Sequence, residues 1–65
     1  MKNRIEELRK EKGIRQDELS NVLGVSRQTI SSLENGRYNP SITLAYKIAK
    51  VFDLAIEDVF IFDEE

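Results

Sequence analysis

The sequence predicts an all-α fold, in which 65 residues form one compact domain of five short helices. Apolar residues recur at the three- and four-residue spacing of amphipathic helices in five successive segments. Glycine or serine stands at most boundaries between these segments, where it can end one helix or cap the next. A chain this short buries only about 60% of its unfolded surface, so the core of such a domain is marginal on its own.

The first two helices are predicted from apolar spacing that ends at a glycine. Ile5 and Leu8 stand three residues apart among charged residues, and this segment stops at Gly13. Residues 16–23 form a second amphipathic segment, which stops at Gly24. Because glycine takes a positive φ without steric cost, we expect both glycines to be left-handed C-terminal caps.

The third and fourth helices each begin after a serine, whose hydroxyl can accept a backbone N–H from the first turn. Ser26 precedes a helix over about residues 27–35, and Ser41 precedes a helix that follows a loop at residues 37–40. The inward residues of these two helices are Ile30, Leu33, Leu44, Ala45, Ile48, Ala49 and Phe52. A short fifth helix is expected at residues 56–60, with acidic residues favourably placed near its N-terminus.

Composition removes most enzyme chemistry from consideration. The chain has no cysteine and no histidine, so it lacks a thiolate metal site and the commonest general base. We therefore expect no enzyme activity, no cofactor and no metal. No apolar run approaches the roughly 18 residues that a membrane span needs, and the N-terminal residues lead into charged sequence. The chain is expected to be cytoplasmic and not inserted in a membrane.

Residues 16–37, QDELSNVLGVSRQTISSLENGR, meet the size limits of two closely crossing helices. Ser20 is small enough to let the next helix approach, and Gly24 makes the turn. This pattern resembles the helix-turn-helix of the lambda Cro and repressor type, the xenobiotic-response-element (XRE) family, over about residues 5–60. The matching positions are Gln16, Gly24-Val25-Ser26, Gln28-Thr29-Ile30 and Leu33-Glu34-Asn35-Gly36. The resemblance implies a lambda-repressor-like DNA-binding domain over residues 1–65; the alternative is an ordinary helical hairpin whose glycines are only caps.

The resemblance also implies roles for individual residues. The third helix becomes the recognition helix, and Gln28 is the strongest candidate for reading sequence, because its amide can both donate to and accept from adenine in the major groove. The expected base-contacting residues are Arg27, Gln28, Thr29 and Ser32. The expected phosphate-contacting residues are Gln16, Ser26, Ser31, Asn35 and Arg37. Arg9 and Glu34 are expected to form a structural ion pair between the first helix and the recognition helix; a solvated Arg9 is the alternative.

The charge distribution is compatible with a DNA partner despite a formal net charge of −2. Residues 1–15 and 26–50 each carry a net charge of +3, whereas residues 51–65 carry −6. A local basic surface therefore exists if Arg27, Arg37 and Lys50 share a face.

A homodimer is expected, because one such module reads only about half a turn of DNA. The expected dimerisation segment is residues 60–65, in which Phe60, Ile61 and Phe62 would form an exposed apolar patch that something must cover. The acidic residues 63–65 would splay into solvent. The high β propensity of residues 60–62 predicts a short terminal strand. The resemblance implies that this strand pairs with the N-terminal residues or with a second subunit; a frayed tail is the alternative.

The function predicted from these features is a sequence-specific double-stranded DNA-binding transcriptional regulator, by default a repressor on a palindromic operator. The alternative is an antitoxin-like or adaptor module that uses the same helices to hold another protein. The outer surface of the predicted recognition helix is polar, whereas a protein-binding groove is typically apolar. This favours DNA. Regulation would then depend on concentration or on an unknown protein partner.

Overall fold

The computed structural model describes residues 1–62, which form five helices. These are α1 (Ile5–Lys12), α2 (Gln16–Leu23), α3 (Arg27–Glu34), α4 (Ile42–Val51) and α5 (Ile56–Val59). The all-α prediction is confirmed, and α5 ends one residue earlier than expected. The predicted outward position of Asp63, Glu64 and Glu65 concerns residues outside this description. Within residues 1–62, no helix is long and apolar enough to cross a membrane.

The four predicted helix caps are all present. Gly13 and Gly24 have φ values of 76° and 73°, in the left-handed region, and end α1 and α2. The hydroxyl oxygens of Ser26 and Ser41 each accept the backbone N–H three residues further on, at 3.1 Å. These local interactions fix where four of the helices begin or end, and two of them, at Gly24 and Ser26, define the turn between α2 and α3.

The start of α2 is stabilised without a capping side chain from the preceding residue. Arg15 stands at that position, and its guanidinium has only donors, so it cannot accept an N–H of the first turn. Instead, the carboxylate of Glu18 reaches back and accepts the backbone N–H of Arg15 at 2.7 Å. The helix therefore begins at Gln16 despite the unusual residue before it.

One hydrophobic core receives side chains from all five helices and from the residue after α5. Its buried members are Ile5, Leu8, Leu19, Leu23, Ile30, Leu33, Ala45, Ile48, Ala49, Val59 and Phe60. Leu44 and Phe52, also predicted to face inward, lie half-buried at its margin. Burial of each large apolar side chain contributes about 1.5–3 kcal/mol, which makes this core the main source of stability in a small domain.

Within residues 1–62, a segment near the N-terminus pairs with the segment after α5 in one β-bridge. Asn3 and Phe60 form this antiparallel bridge, and Ile61 donates its N–H to the carbonyl of Lys2 at 2.9 Å. No longer strand exists within residues 1–62. The C-terminal segment therefore contacts the N-terminal residues of its own chain, one of the two pairings expected from the sequence.

The expected exposed patch at residues 60–62 is wrong for Phe60, which is only 2% exposed and belongs to the core. The reason is the extended backbone at this residue, since successive side chains of an extended segment point to opposite sides. Phe60 and Phe62 both line a groove beside α4, whereas Ile61 lies near the N-terminal segment and the end of α3. Only Ile61 and Phe62 remain exposed.

Candidate nucleic-acid interface

The turn between α2 and α3 brings the two helices close together. Ser20 is buried in α2, and its hydroxyl donates to the carbonyl of Asp17 at 2.7 Å, so its polar group is satisfied inside the domain. On α3, Ile30 and Leu33 are completely buried. Because these residues fix the inward face of α3, the opposite face of that helix lies at the surface.

That outer face is polar and borders α2. Arg27 and Gln28 are exposed, and together with Ser31 and Gln16 they line one surface depression, here called the α2–α3 depression. Two residues expected to read bases thus lie beside two residues expected to contact phosphates. The other predicted contact residues, Thr29, Ser32, Ser26, Asn35 and Arg37, do not line it.

A buried carboxylate links the three N-terminal helices. The Oε2 atom of Glu34 accepts from Nε of Arg9 at 2.6 Å, and its Oε1 atom accepts from Nε2 of Gln16 at 2.9 Å. The side chains of Arg9 and Glu34 are only 11% and 5% exposed. The guanidinium of Arg9 also donates to the carbonyl of Ile14 at 3.0 Å. Hydrogen bonding to Glu34 raises the pKa of Arg9, against the opposing effect of burial.

The bond to Glu34 fixes the orientation of the Gln16 side chain. Only the amide nitrogen can face the carboxylate, because the amide oxygen would be repelled by it. This nitrogen carries two hydrogens, and one remains for another acceptor. Gln16 is thus a preoriented donor at the rim of the α2–α3 depression, a geometry that suits a phosphate oxygen.

Ser26 and Thr29 are engaged with each other at the start of α3. Their hydroxyl oxygens lie 2.9 Å apart, and the Ser26 oxygen also accepts the backbone N–H of Thr29. Their mutual hydrogen bond uses one of the two hydroxyl protons and leaves the other for an external acceptor. Thr29 is half-buried in this cap, whereas Gln28 is exposed.

The end of α3 carries two exposed residues of the predicted set. The side-chain oxygen of Asn35 accepts the backbone N–H of Arg37 at 3.2 Å, which leaves the amide nitrogen of Asn35 free to donate. Within residues 1–62, Arg27 and Arg37 form no ion pair. Their charges are therefore not neutralised by the described part of the chain.

Two residues near the N-terminus support the end of α3 and were not predicted from the sequence. Asn3 donates from its side-chain nitrogen to the carbonyl of Leu33 at 2.8 Å, and its side-chain oxygen accepts the N–H of Ile5 at 3.0 Å. Lys2 lies beside Asn35 in a neighbouring depression, where it adds a cation to this end of the helix. In the sequence, only the net positive charge of residues 1–15 indicated that a cation such as Lys2 could lie near the recognition helix.

A charged pair lies on the other side of the α2–α3 depression. Arg15 and Asp17 form an exposed ion pair, with Nε of Arg15 3.1 Å from Oδ1 of Asp17. This hydrogen bond lowers the pKa of Asp17 below its ordinary value of 3.8, against the opposing effect of partial desolvation, and the charge of Arg15 adds to the lowering. Arg15, Asp17 and Arg27 line one surface depression, and because Arg15 and Asp17 neutralise each other, the pair does not change the net charge beside Arg27.

This arrangement, two helices across a glycine turn with a polar outer face on the second, defines a helix-turn-helix domain. The helix-turn-helix family model matches residues 5–59, and the chain belongs to this family, in its XRE-type form. An uncharacterized HTH-type transcriptional regulator from Archaeoglobus fulgidus is 57% identical over 65 residues, which cover 100% of this chain and 93% of the relative.

Solved structures of related regulators have the same fold. The restriction-modification controller protein C.AhdI from Aeromonas hydrophila matches with a TM-score of 0.76 and 31% identity, over 85% of this chain and 83% of that chain. SinR, the master regulator for biofilm formation from Bacillus subtilis, was solved in complex with DNA. It matches with a TM-score of 0.74 and 38% identity, over 83% of this chain and 87% of that chain. The protein is a transcriptional regulator with a helix-turn-helix DNA-binding fold.

Proposed function

We propose that the protein is a sequence-specific repressor that binds a palindromic operator in double-stranded DNA as a homodimer. The observation that carries this proposal is the α2–α3 depression, where exposed Arg27 and Gln28 stand next to the preoriented donor Gln16. Such a surface can place α3 in the major groove while α2 contacts the backbone. The related regulator SinR has been solved with DNA, which supports the same partner here.

Within this proposal, base reading and backbone contact are divided between two sets of residues. The base-contacting set is Arg27, Gln28, Thr29 and Ser32. The phosphate-contacting set is Gln16, Ser26, Ser31, Asn35 and Arg37. The second amide hydrogen of Gln16 and the amide nitrogen of Asn35 provide two donors for phosphate oxygens. Contacts of the second set position the domain, whereas contacts of the first set specify the sequence.

Repression needs only occupancy of the operator, which blocks polymerase, whereas activation also needs a surface that contacts polymerase. A homodimer follows from the short reach of α3, since one domain covers about half a turn of DNA and a palindrome presents two equivalent half-sites. The proposed site of action is the cytoplasm. We expect neither a cofactor nor enzyme activity to be part of this function.

The dependence of DNA affinity on salt tests the proposal. We expect the binding constant to fall steeply between about 50 and 200 mM salt, because each neutralised phosphate releases counterions. Arg37→Ala removes one such contact and lowers the slope of log K against log salt by about 1. Lys10→Ala is the matched control, because it removes the same charge from α1, where Lys10 is paired with Glu6. A binding constant that is flat across this range contradicts the proposal.

A further inference from the structure

A second surface depression lies beside the start of α2, next to the α2–α3 depression. It is lined by Arg9, Arg15, Gln16, Asp17 and Arg27 and is here called the arginine depression. Gln16 and Arg27 line both depressions. The arginine depression is therefore continuous with the surface that the proposed function places against DNA, and three of its five lining residues are cationic.

The three guanidinium groups of the arginine depression differ in what binds them. Arg9 is buried and bonded to the carboxylate of Glu34. Arg27 is exposed and forms no ion pair within residues 1–62. The side chain of Arg15 is 75% exposed, and within the same residues only Asp17 binds its guanidinium. An anion that enters the depression therefore meets two exposed guanidinium groups, one of which already has a partner.

Within the pair of Arg15 and Asp17, only Asp17 is fixed to the helix. The Oδ1 atom of Asp17 accepts the backbone N–H of Glu18 at 3.0 Å. The Arg15 side chain cannot cap α2, because a guanidinium has no acceptor. The backbone N–H of Arg15, and not its side chain, bonds the carboxylate of Glu18 at 2.7 Å. The guanidinium can therefore leave Asp17 without the loss of any contact that holds the start of α2.

The ion pair leaves Arg15 able to bind a second anion. Its Nε and Nη2 atoms donate to the two carboxylate oxygens of Asp17 at 3.1 and 3.2 Å. A guanidinium has five N–H groups, so three of them remain after these two bonds. An exposed ion pair is weak in water, whereas a guanidinium binds phosphate through two parallel, charge-assisted hydrogen bonds. A phosphate can therefore contact the remaining N–H groups first and then displace Asp17.

We propose that Arg15 is a further phosphate-contacting residue and that Asp17 competes with the phosphate for its guanidinium. In the free protein the guanidinium is bound to Asp17, and in the DNA complex it binds a phosphate oxygen next to the one that Gln16 contacts. Asp17 lowers the affinity for DNA, because its carboxylate loses its partner and then lies near a phosphate of the same charge. This inference rests on the proposed function and adds one pair of residues to its interface.

A charge-neutral double variant of the full chain separates a phosphate contact from simple neutralisation of Asp17. Arg15→Ala/Asp17→Asn removes one charge of each sign, so the net charge is unchanged. Alanine keeps the backbone N–H that bonds Glu18, and asparagine keeps an oxygen that can accept the N–H of Glu18. Lys10→Ala/Glu6→Gln is the matched control, because this pair is also exposed but lies on α1, outside both depressions. Circular dichroism checks that all variants remain folded.

Fluorescence anisotropy measures binding to two labelled DNA duplexes, one of random sequence and one that carries the motif selected from randomised DNA. We expect Asp17→Asn alone to bind both about 2- to 5-fold more tightly than the unchanged protein, the range of one exposed ion pair. We expect Arg15→Ala/Asp17→Asn to bind both about 10-fold more weakly, because the lost charge-assisted contact outweighs the relief of competition. Its slope of log K against log salt is expected to be lower by about 1. The control double variant is expected to bind as the unchanged protein does.

The inference is overturned if the Arg15→Ala/Asp17→Asn protein binds as the control double variant does, because Arg15 then only neutralises Asp17. It is also overturned if Asp17→Asn weakens binding, because Asp17 then supports the contact instead of competing with it. If the unchanged protein binds with steep salt dependence and the Arg15→Ala/Asp17→Asn protein matches it, only this inference fails. If the unchanged protein binds neither duplex, or binds with a flat salt dependence, the proposed function and this inference fail together.

Discussion

The substitution Glu34→Gln removes the charge that joins α1, α2 and α3. Glu34 contacts Nε of Arg9 at 2.6 Å and Nε2 of Gln16 at 2.9 Å, and its side chain is almost completely buried. Glutamine has nearly the same shape but no charge, so the substitution leaves the Arg9 guanidinium buried without its counter-ion. We expect a large loss of stability for a change of so few atoms.

The size of this loss follows from the contacts that remain. Removal of one partner from a buried ion pair costs about 3–5 kcal/mol. In Glu34→Gln the Arg9 guanidinium still donates to the carbonyl of Ile14, and the amide oxygen of the new glutamine can still accept a hydrogen bond. We therefore expect a smaller loss in the free energy of unfolding, about 2–3 kcal/mol. In a domain of this length each 1 kcal/mol lowers the melting temperature by about 4–8 °C. Glu34→Gln is therefore expected to lower it by about 10–20 °C.

Thermal and urea unfolding compare Glu34→Gln, which breaks the buried ion pair, with the control variant Glu6→Gln, which breaks an exposed one. Glu6→Gln breaks the pair between Glu6 and Lys10, whose charged atoms are 2.9 Å apart but whose side chains are both more than half exposed. Exposed pairs contribute little because water screens them, so we expect no measurable change in the melting temperature of Glu6→Gln. Equal melting temperatures for Glu34→Gln, Glu6→Gln and the unchanged protein would refute the reasoning, since the buried pair would then contribute no more than surface charges.

Three further substitutions test contacts of single residues. Asn3→Ala removes the donor to the Leu33 carbonyl and is expected to cost about 1 kcal/mol in urea unfolding; an unchanged midpoint would show that this bond is replaced by water. Gly24→Ala meets no atom within 4 Å but must keep φ near 73°, so it is expected to cost about 1–2 kcal/mol from backbone strain alone. Arg15→Ala is expected to return the Asp17 pKa toward 3.8 in an NMR titration. Since the folded pKa is lowered, the pair stabilises the fold above about pH 4 and loses this effect as pH falls through the folded pKa; an unmoved Asp17 titration would contradict the pairing.

The helix boundaries could be predicted from the sequence because each depends on one residue and its neighbours along the chain. Gly13 and Gly24 end helices since they tolerate a positive φ, and Ser26 and Ser41 begin helices since their hydroxyls reach the first turn. Both the positive φ of a glycine and the hydrogen bond of a capping serine involve only residues that are close in the sequence. The inward and outward faces of the helices followed in the same way from their periodicity.

Contacts between distant segments could not be predicted from local patterns. Phe60 lies within a run of three apolar residues, and only the bridge to Asn3 decides that its side chain turns into the core. The bond between Gln16 and Glu34 joins residues far apart in the chain, and neither residue type is specific for the other. Ile42 is 80% exposed, and this exposure depends on where α4 lies against the other helices, which no local pattern specifies.

The most direct test of the central claim, that the outer face of α3 reads DNA sequence, is selection of binding sites from a pool of randomised DNA duplexes. We expect the unchanged protein to select a palindromic motif. Gln28→Ala is expected to lose preference at one base pair in each half-site, since a bidentate amide–adenine contact discriminates by about 1–3 kcal/mol. Gln16→Ala is expected to select the same motif as the unchanged protein but to bind all sequences more weakly. Recovery of no motif by the unchanged protein, or a changed motif for Gln16→Ala with an unchanged one for Gln28→Ala, would contradict the claim.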